Sequence, residues 1–270
     1  MSTPQGPDFQ LYPGRTPLLV SVPHVGTAIP PDIAAALVPR ALQVEDADRH
    51  LDRLYDFAQT LGAGLLVPRH ARYVVDLNRP PDNSAMYPGA NNTELCPTRF
   101  FTGEPLYRPG LAPDDTEVQR RVELYWLPYH QALAAELARL KARHGHALLW
   151  DGHSIQRQVP WLFEGSLPDL NLGTARGSSC APALRDRLAA VLAAQRTHSF
   201  VVDGRFQGGY ITRHYGRPED GVHALQMEMG WHCCMDETPP WAWREDRAQQ
   251  VRPVLRALLQ ALLDVPPGVP

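Results

Sequence analysis

The sequence predicts a three-layer α/β/α domain with a largely parallel sheet, because short apolar segments alternate with helix-spaced amphipathic ones throughout its 270 residues. A chain of that length buries a core without disulfides or oligomerisation, and neither an internal repeat nor a low-complexity linker divides it. Residues 1–270 therefore read as one domain, with Met1 to Arg15 as a polar, proline-containing amino-terminal extension.

Thr16 to Val22 is apolar and β-branched and is closed by Pro23, as suits a buried parallel strand with His24 at its carboxyl end. Asp48 to Leu61 sets Leu51, Leu54, Tyr55 and Ala58 at helical spacing, and Gly62 and Gly64 stop that helix before a strand over Leu65 to Val67. Arg72 to Asp76 reads as another short strand, followed by Asn78, Arg79 and two prolines. The Pro-, Asn- and Gly-rich stretch 82–113 has the length of a lid or binding loop. Glu117 to His144 is a long amphipathic helix bent at Pro128, and Ala147 to Trp150 is a strand that Asp151-Gly152-His153-Ser154 follows at once. Ala181 to Ala194 reads as a helix, Ser199 to Val202 and Val222 to Met229 as strands, and Trp241 to Leu263 as the closing helix. In such sheets ligands bind at the carboxyl ends of the strands, where these polar groups fall.

A net charge of −3 and the lack of a basic run argue against a nucleic-acid partner, and no apolar run is long enough to span a bilayer. The amino terminus lacks the features of a signal peptide, so the expected location is the cytoplasm. Cys96, Cys180, Cys233 and Cys234 show no CxxC spacing and read as reduced thiols, not as a structural zinc site.

His24 and His153, each at a strand end, are suited to bind one zinc ion, and a catalytic zinc wants a third protein ligand with one position left for water. The third ligand should be a carboxylate. Glu45, Asp46, Asp48 and Asp52 are near enough in sequence; Asp48 is preferred, with Asp52 on the same helical face as ligand or as support behind one. Each acid also suits a helix amino terminus with no metal. Asp151 either orients His153 or caps the following turn. Asn78 and Arg79 suit a substrate carboxylate, and Arg213, after the Gly208-Gly209 pair, could hold a second one in a dicarboxylic substrate. Arg72 either polarises the scissile carbonyl or forms a structural salt bridge. Glu228 stands in the apolar run Ala224 to Met229, where desolvation would raise its pKa toward that of a general base. The chain has no GxSxG elbow, P-loop or dinucleotide fingerprint.

Six segments in order, SVPHVGT from Ser21, DRHLDRLY from Asp48, VDLNRP from Val75, DGHSI from Asp151, GRFQGGYITRHYG from Gly204 and LQMEM from Leu225, make the chain resemble the N-formylglutamate deformylase (N-formylglutamate amidohydrolase) family of histidine degradation. The same order is similar to that of the wider zinc carboxypeptidase and aspartoacylase group. The resemblance implies a phosphorylase/hydrolase-like fold with a mixed sheet, zinc or another divalent metal on His24 and His153, carboxylate binding by Asn78 and Arg79, and Glu228 as base. Two positions depart from the pattern. Thr27 stands where the wider group places its acid ligand, so the carboxylate must come from elsewhere, and Arg49 replaces an expected aromatic at the rim. The expected reaction is zinc-dependent release of formate from N-formyl-L-glutamate. The alternatives are another acyl-amino-acid amidohydrolase or carboxypeptidase-like hydrolase, or a binding protein that has lost catalysis.

Overall fold

Period-two alternation along the inner strands sends successive side chains into two separate apolar layers, and this division builds the sandwich. The computed structural model describes residues 8–86 and 91–265. Its sheet comprises β1 (Phe9–Tyr12), β2 (Leu18–Ser21), β3 (Gly64–Pro68), β4 (Ala147–Ile155), β5 (Leu170–Gly173), β6 (Phe200–Val202) and β7 (Val222–Gly230), in the order β1-β3-β2-β4-β7-β5-β6. The central run β3-β2-β4-β7 is parallel, whereas β1 is antiparallel to β3 and β5 is antiparallel to β7. The sheet is therefore mixed, with a parallel centre.

The helices are α1 (Pro31–Ala36), α2 (Leu51–Leu54), α3 (Asp115–Arg121), α4 (Leu127–His144), α5 (Pro182–Ala194), α6 (Tyr210–Tyr215) and α7 (Glu245–Leu263). On one face Leu18, Val20, Leu148, Trp150, Leu225 and Met227 pack with α5 and α7 through Leu184, Leu188, Leu255 and Leu258. On the other face Leu19, Leu66, Leu149 and Ala224 pack with α4 through Leu133, Leu137 and Leu140, and with Ile211 of α6. Among the described residues no helix is long and apolar enough to cross a membrane.

Several elements differ from the sequence reading, each for a local reason. Arg72 to Asp76 is a series of turns, not a strand. Its apolar residues Tyr73 and Val74 fill a satellite core with Ile33, Leu37, Phe100, Leu106 and Tyr107, so burial alone produced the strand-like run. The helix expected over 48–61 shrinks to α2 and a 3₁₀ turn, Asp56–Leu61, leaving Asp48 ahead of it. The long helix is interrupted by a π-helical turn, Val122–Trp126, just before Pro128, whose missing N–H cannot continue the ladder. Strand β4 runs on through Asp151, His153 and Ile155, so those polar residues lie within the strand instead of following it. Trp241 precedes α7, which begins at Glu245. Strand β1 lies inside the stretch read as an extension, and β5 and α6 were not foreseen at all.

Leu149 is fully buried at the centre of β4 and belongs to the α4-side layer. Leu149→Ala should cost about 2–5 kcal/mol of stability, read in urea as a lower midpoint with an unchanged slope.

Candidate metal centre and active site

Strand parity and register place the polar residues. In β4, Asp151 and His153 share the parity of Leu149, and in β7, Gln226 and Glu228 share that of Ala224, so all four face the α4 side of the sheet. The parallel register sets Asp151 beside Gln226 and His153 beside Glu228. Strand β2 delivers His24 to the same carboxyl-end rim three residues after Ser21.

His24, Asp48 and His153, all buried, converge there, and one donor atom from each lies within 4.8 Å of the others. The two imidazoles are 4.8 Å apart between centroids. Both turn Nδ1 toward the Asp48 carboxylate, at 3.6 Å for His24 and 3.1 Å for His153. The backbone holds that carboxylate in place: Asp48 N–H donates to the His24 carbonyl at 3.0 Å, and Ser154 N–H donates to Asp48 Oδ2 at 3.1 Å.

The far nitrogens are held by acids. His24 Nε2 lies 2.6 Å from Asp76 Oδ1, and His153 Nε2 lies 3.0 Å from Asp151 Oδ1. The carboxylate hydrogen-bonded behind His24 leaves the inward nitrogen of that ring as the available donor, which is the arrangement that orients metal-binding histidines, whereas His153 Nε2 is shared between the approach of Asp151 and a hydrogen bond with the Asn78 amide. Burial opposes a charge on His153, yet Asp151, Asp48 and Glu228 together raise its pKa well above the ordinary histidine value. The pocket thus favours positive charge where the donor atoms meet, and a two-imidazole, one-carboxylate set suits a divalent transition metal such as zinc.

The turn carrying Asn78 and Arg79 is clamped from two sides. Trp126 Nε1–H donates to the Arg79 carbonyl at 3.0 Å, and His130 Nε2 meets the Leu77 carbonyl at 2.9 Å. Burial drives the His130 pKa down to about 3, so the ring is neutral. Asn78 Oδ1 accepts the Ile211 amide of α6 at 2.8 Å, which aims its Nδ2 at His153 Nε2, 2.9 Å away. Gly208 adopts φ +115°, and a Cβ on Gly209 would lie 2.3 Å from the Asn78 amide. The lack of a side chain at Gly209 therefore admits the Asn78 side chain.

Glu228 lines the same pocket as the three convergent residues. Its carboxyl is pushed up to about 8, chiefly by burial, with Asp48 and Asp151 adding while His153 and Arg72 oppose. Arg72 is buried, bonds Asp76 Oδ2 at 2.6 Å, places Nη1 3.4 Å from His24 Nδ1 and lies over the Phe101 ring. It is at once a structural ion pair and a cation at the focus of the site. Asp76, fully buried, is held well below the usual carboxylate range: burial works against this, and His24 and Arg72 overcome it.

Three sequence-based expectations are displaced. Asp52 is exposed and lines a separate pocket with Thr27 and Arg49, so it does not stand behind the metal ligands. Arg49 stacks on Trp241 and takes no place in the catalytic pocket wall. Arg213 is exposed on α6 and donates to the Gly208 and Met86 carbonyls, outside the pocket lining. Arg205, eight residues earlier in the same glycine-containing segment, lines the pocket with Arg79, Leu162 and Phe206. Asp76, Trp126, His130 and Arg205 were the residues missed. Of these only Asp76 carried a signal, as the acid opening the Asn-Arg turn. A second grouping of donors, Asp169, His232 and Cys233, lies elsewhere, and Asp169 there is already engaged by His232 and the Ser199 amide.

The family model described as N-formylglutamate amidohydrolase matches residues 16–235. An N-formylglutamate deformylase from Pseudomonas aeruginosa is 54% identical over 250 residues, covering 93% of this chain and 94% of that protein. One from Pseudomonas putida is 48% identical over 255 residues, covering 94% and 95%. Among solved structures, the N-formylglutamate amidohydrolase from Ralstonia eutropha superposes with a TM-score of 0.79 at 26% identity, over 94% of this chain and 97% of that one. A gene product of Agrobacterium tumefaciens shares the fold, with a TM-score of 0.73 at 18% identity over 95% of both chains.

Asp76 supports His24 and neutralises Arg72 in one buried network, so Asp76→Asn should destabilise the protein by about 3–5 kcal/mol, as for other broken buried pairs. Because its folded pKa is depressed, its stabilisation is present above the ordinary value of 3.8 and lost as pH falls below it. Urea denaturation of both proteins as a function of pH should show the difference at neutral pH and its disappearance in acid.

Proposed function

The chain belongs to the N-formylglutamate amidohydrolase family, and from that premise we propose that it hydrolyses N-formyl-L-glutamate to formate and L-glutamate with zinc held by His24, Asp48 and His153. The observation that carries this reading is a single pocket joining the three-donor cluster, the buried acid Glu228 and the Asn78-Arg79 turn. The names of the relatives supply the substrate. We place the reaction in histidine degradation on the family resemblance, and the four buried, unbridged cysteines agree with the cytoplasmic setting we assign.

Zinc on those three donors would supply a Lewis acid for the formyl oxygen and an acidified water as nucleophile. The chain's own groups do the rest. Glu228, buried beside His153, accepts the proton of the attacking water and passes it to the leaving nitrogen, which departs as the amine of glutamate. Arg72 directs Nη1 toward the same focus and steadies the negative charge that develops on the formyl oxygen, while its other arm stays on Asp76. We assign to Asn78 and Arg79 the α-carboxylate, carried two bonds from the amide nitrogen, so the scissile bond is presented to Glu228 in one orientation. Asp76 and Asp151 fix the two rings, and α6 fixes Asn78.

Purified protein should release formate from N-formyl-L-glutamate, lose that activity on exhaustive chelation, regain it with zinc, and act more slowly on N-acetyl-L-glutamate. Glu228→Gln should lower kcat by about 10²–10⁴-fold, the usual contribution of a positioned acid–base group. Activity that survives both chelation and this substitution contradicts the mechanism. The base must be ionised, so kcat/KM should rise with pH. Burial raises the Glu228 carboxyl to about 8 and a neighbouring divalent cation favours its ionised form, so the midpoint should lie below that value. A pH–rate profile of the zinc-loaded enzyme locates it.

A further inference from the structure

We propose that Phe101 forms the wall that confines the acyl group of the substrate to formyl; this rests on the deformylase reading above. The site is polarised between its two imidazoles, whose centroids are 4.8 Å apart. Glu228 stands beside His153 in the parallel register, so the leaving nitrogen to which it passes a proton lies on that side. Arg72 stands on the other side, with Nη1 3.4 Å from His24 Nδ1, so the formyl oxygen that it steadies lies there. An amide is planar, and the substituent on its carbonyl carbon points away from the nitrogen. The hydrogen of the formyl group, or any larger group in its place, is therefore directed toward the His24 and Arg72 side of the pocket. Phe101 is the apolar side chain found there: it lines the pocket, and the Arg72 guanidinium lies over its ring, 4.6 Å from the centroid.

The ring has little room to retreat. Phe101 is 7% exposed and packs in one apolar cluster with Ile155, Val159, Phe163 and Leu167. Its backbone N–H donates to Asp46 Oδ2 at 3.1 Å, and that carboxyl, itself buried, also accepts the Tyr73 hydroxyl at 2.7 Å. The preceding residue, Phe100, enters the satellite core instead, edge-on to Tyr73 with ring centroids 5.9 Å apart. Two neighbouring side chains thus anchor the loop in two separate cores. A hydrogen on the carbonyl carbon fits against such a wall. A methyl group there requires the ring to move, and close-packed interiors resist added volume.

The test measures formate release from N-formyl-L-glutamate and acetate release from N-acetyl-L-glutamate by the zinc-loaded wild type, Phe101→Ala, Phe101→Leu and Phe206→Ala. Phe206 lines the same pocket but sits beside Arg205, whose guanidinium is 5.4 Å from its ring centroid. Phe101→Ala should raise the acetyl-to-formyl ratio of kcat/KM by about 10–200-fold, the worth of one methylene in an apolar pocket. Phe101→Leu should fall between it and the wild type. Phe206→Ala should leave the ratio within about threefold of the wild type, because the space it opens is not at the acyl carbon. In the Glu228→Gln background, where turnover is suppressed, calorimetry should show N-acetyl-L-glutamate gaining affinity over N-formyl-L-glutamate by about tenfold or more once Phe101 is replaced by alanine. An unchanged ratio in Phe101→Ala, with both substrates falling alike, makes Phe101 structural and overturns the proposal while leaving the deformylase reading intact. An equal rise in Phe206→Ala overturns it too, as general loosening of the pocket. A wild type that releases no formate refutes that reading, and the proposal with it.

Discussion

Everything at this site depends on burying more acid than base around two imidazoles. Asp48 stands between the rings, Asp76 and Asp151 stand behind them, and Glu228 faces His153 from the next strand, all within a largely solvent-excluded pocket. Taking carboxylates out of water is costly unless a positive charge or hydrogen bonds compensate. Arg72 offsets part of that cost at Asp76. The remaining demand is visible in two opposite shifts: His153 is driven toward its charged form, and Glu228 toward its neutral one. On the proposed reading, a divalent cation among the three inward donors would satisfy both, because it would supply the charge that His153 otherwise has to carry and would stabilise the ionised form of Glu228.

The sheet makes this arrangement reproducible. Parity along β4 and β7 sends apolar side chains to the α5–α7 side and Asp151, His153, Gln226 and Glu228 to the α4 side, so the same strands build the core and the site. The α4 side also carries the clamp. Trp126 and the neutral His130 hold the turn from Leu77 to Arg79, and the amino end of α6 holds Asn78 through the Ile211 amide. The π-helical turn before Pro128 includes Trp126 itself, so the break in the long helix falls where the indole reaches the Arg79 carbonyl.

The layers, the parallel centre of the sheet and the convergence of His24, Asp48 and His153 were legible because they follow from short-range patterns: apolar runs with the right period, and chemically special residues at strand ends. What was illegible depends on contacts distant in sequence. Tyr73 and Val74 look like a strand because burial in a satellite core and burial in a sheet select the same residue types. Strand β5, LNLG, has too few apolar residues to announce itself and is defined by its pairing with β7. Arg205 and Arg213 occupy one segment, and only the turn made by Gly208 and the start of α6 sends the first into the pocket and the second to the surface. Asp52 followed from ideal helical spacing, which fails because the helix begins only at Leu51.

The most direct test of the charge argument is crystallographic: anomalous diffraction at the zinc absorption edge from crystals of the purified protein grown with zinc. The account predicts one strong anomalous peak bounded by His24, Asp48 and His153, with the Nδ1 atom of each ring facing it. Absence of a peak there, or occupation only of the Asp169, His232 and Cys233 group, would contradict it.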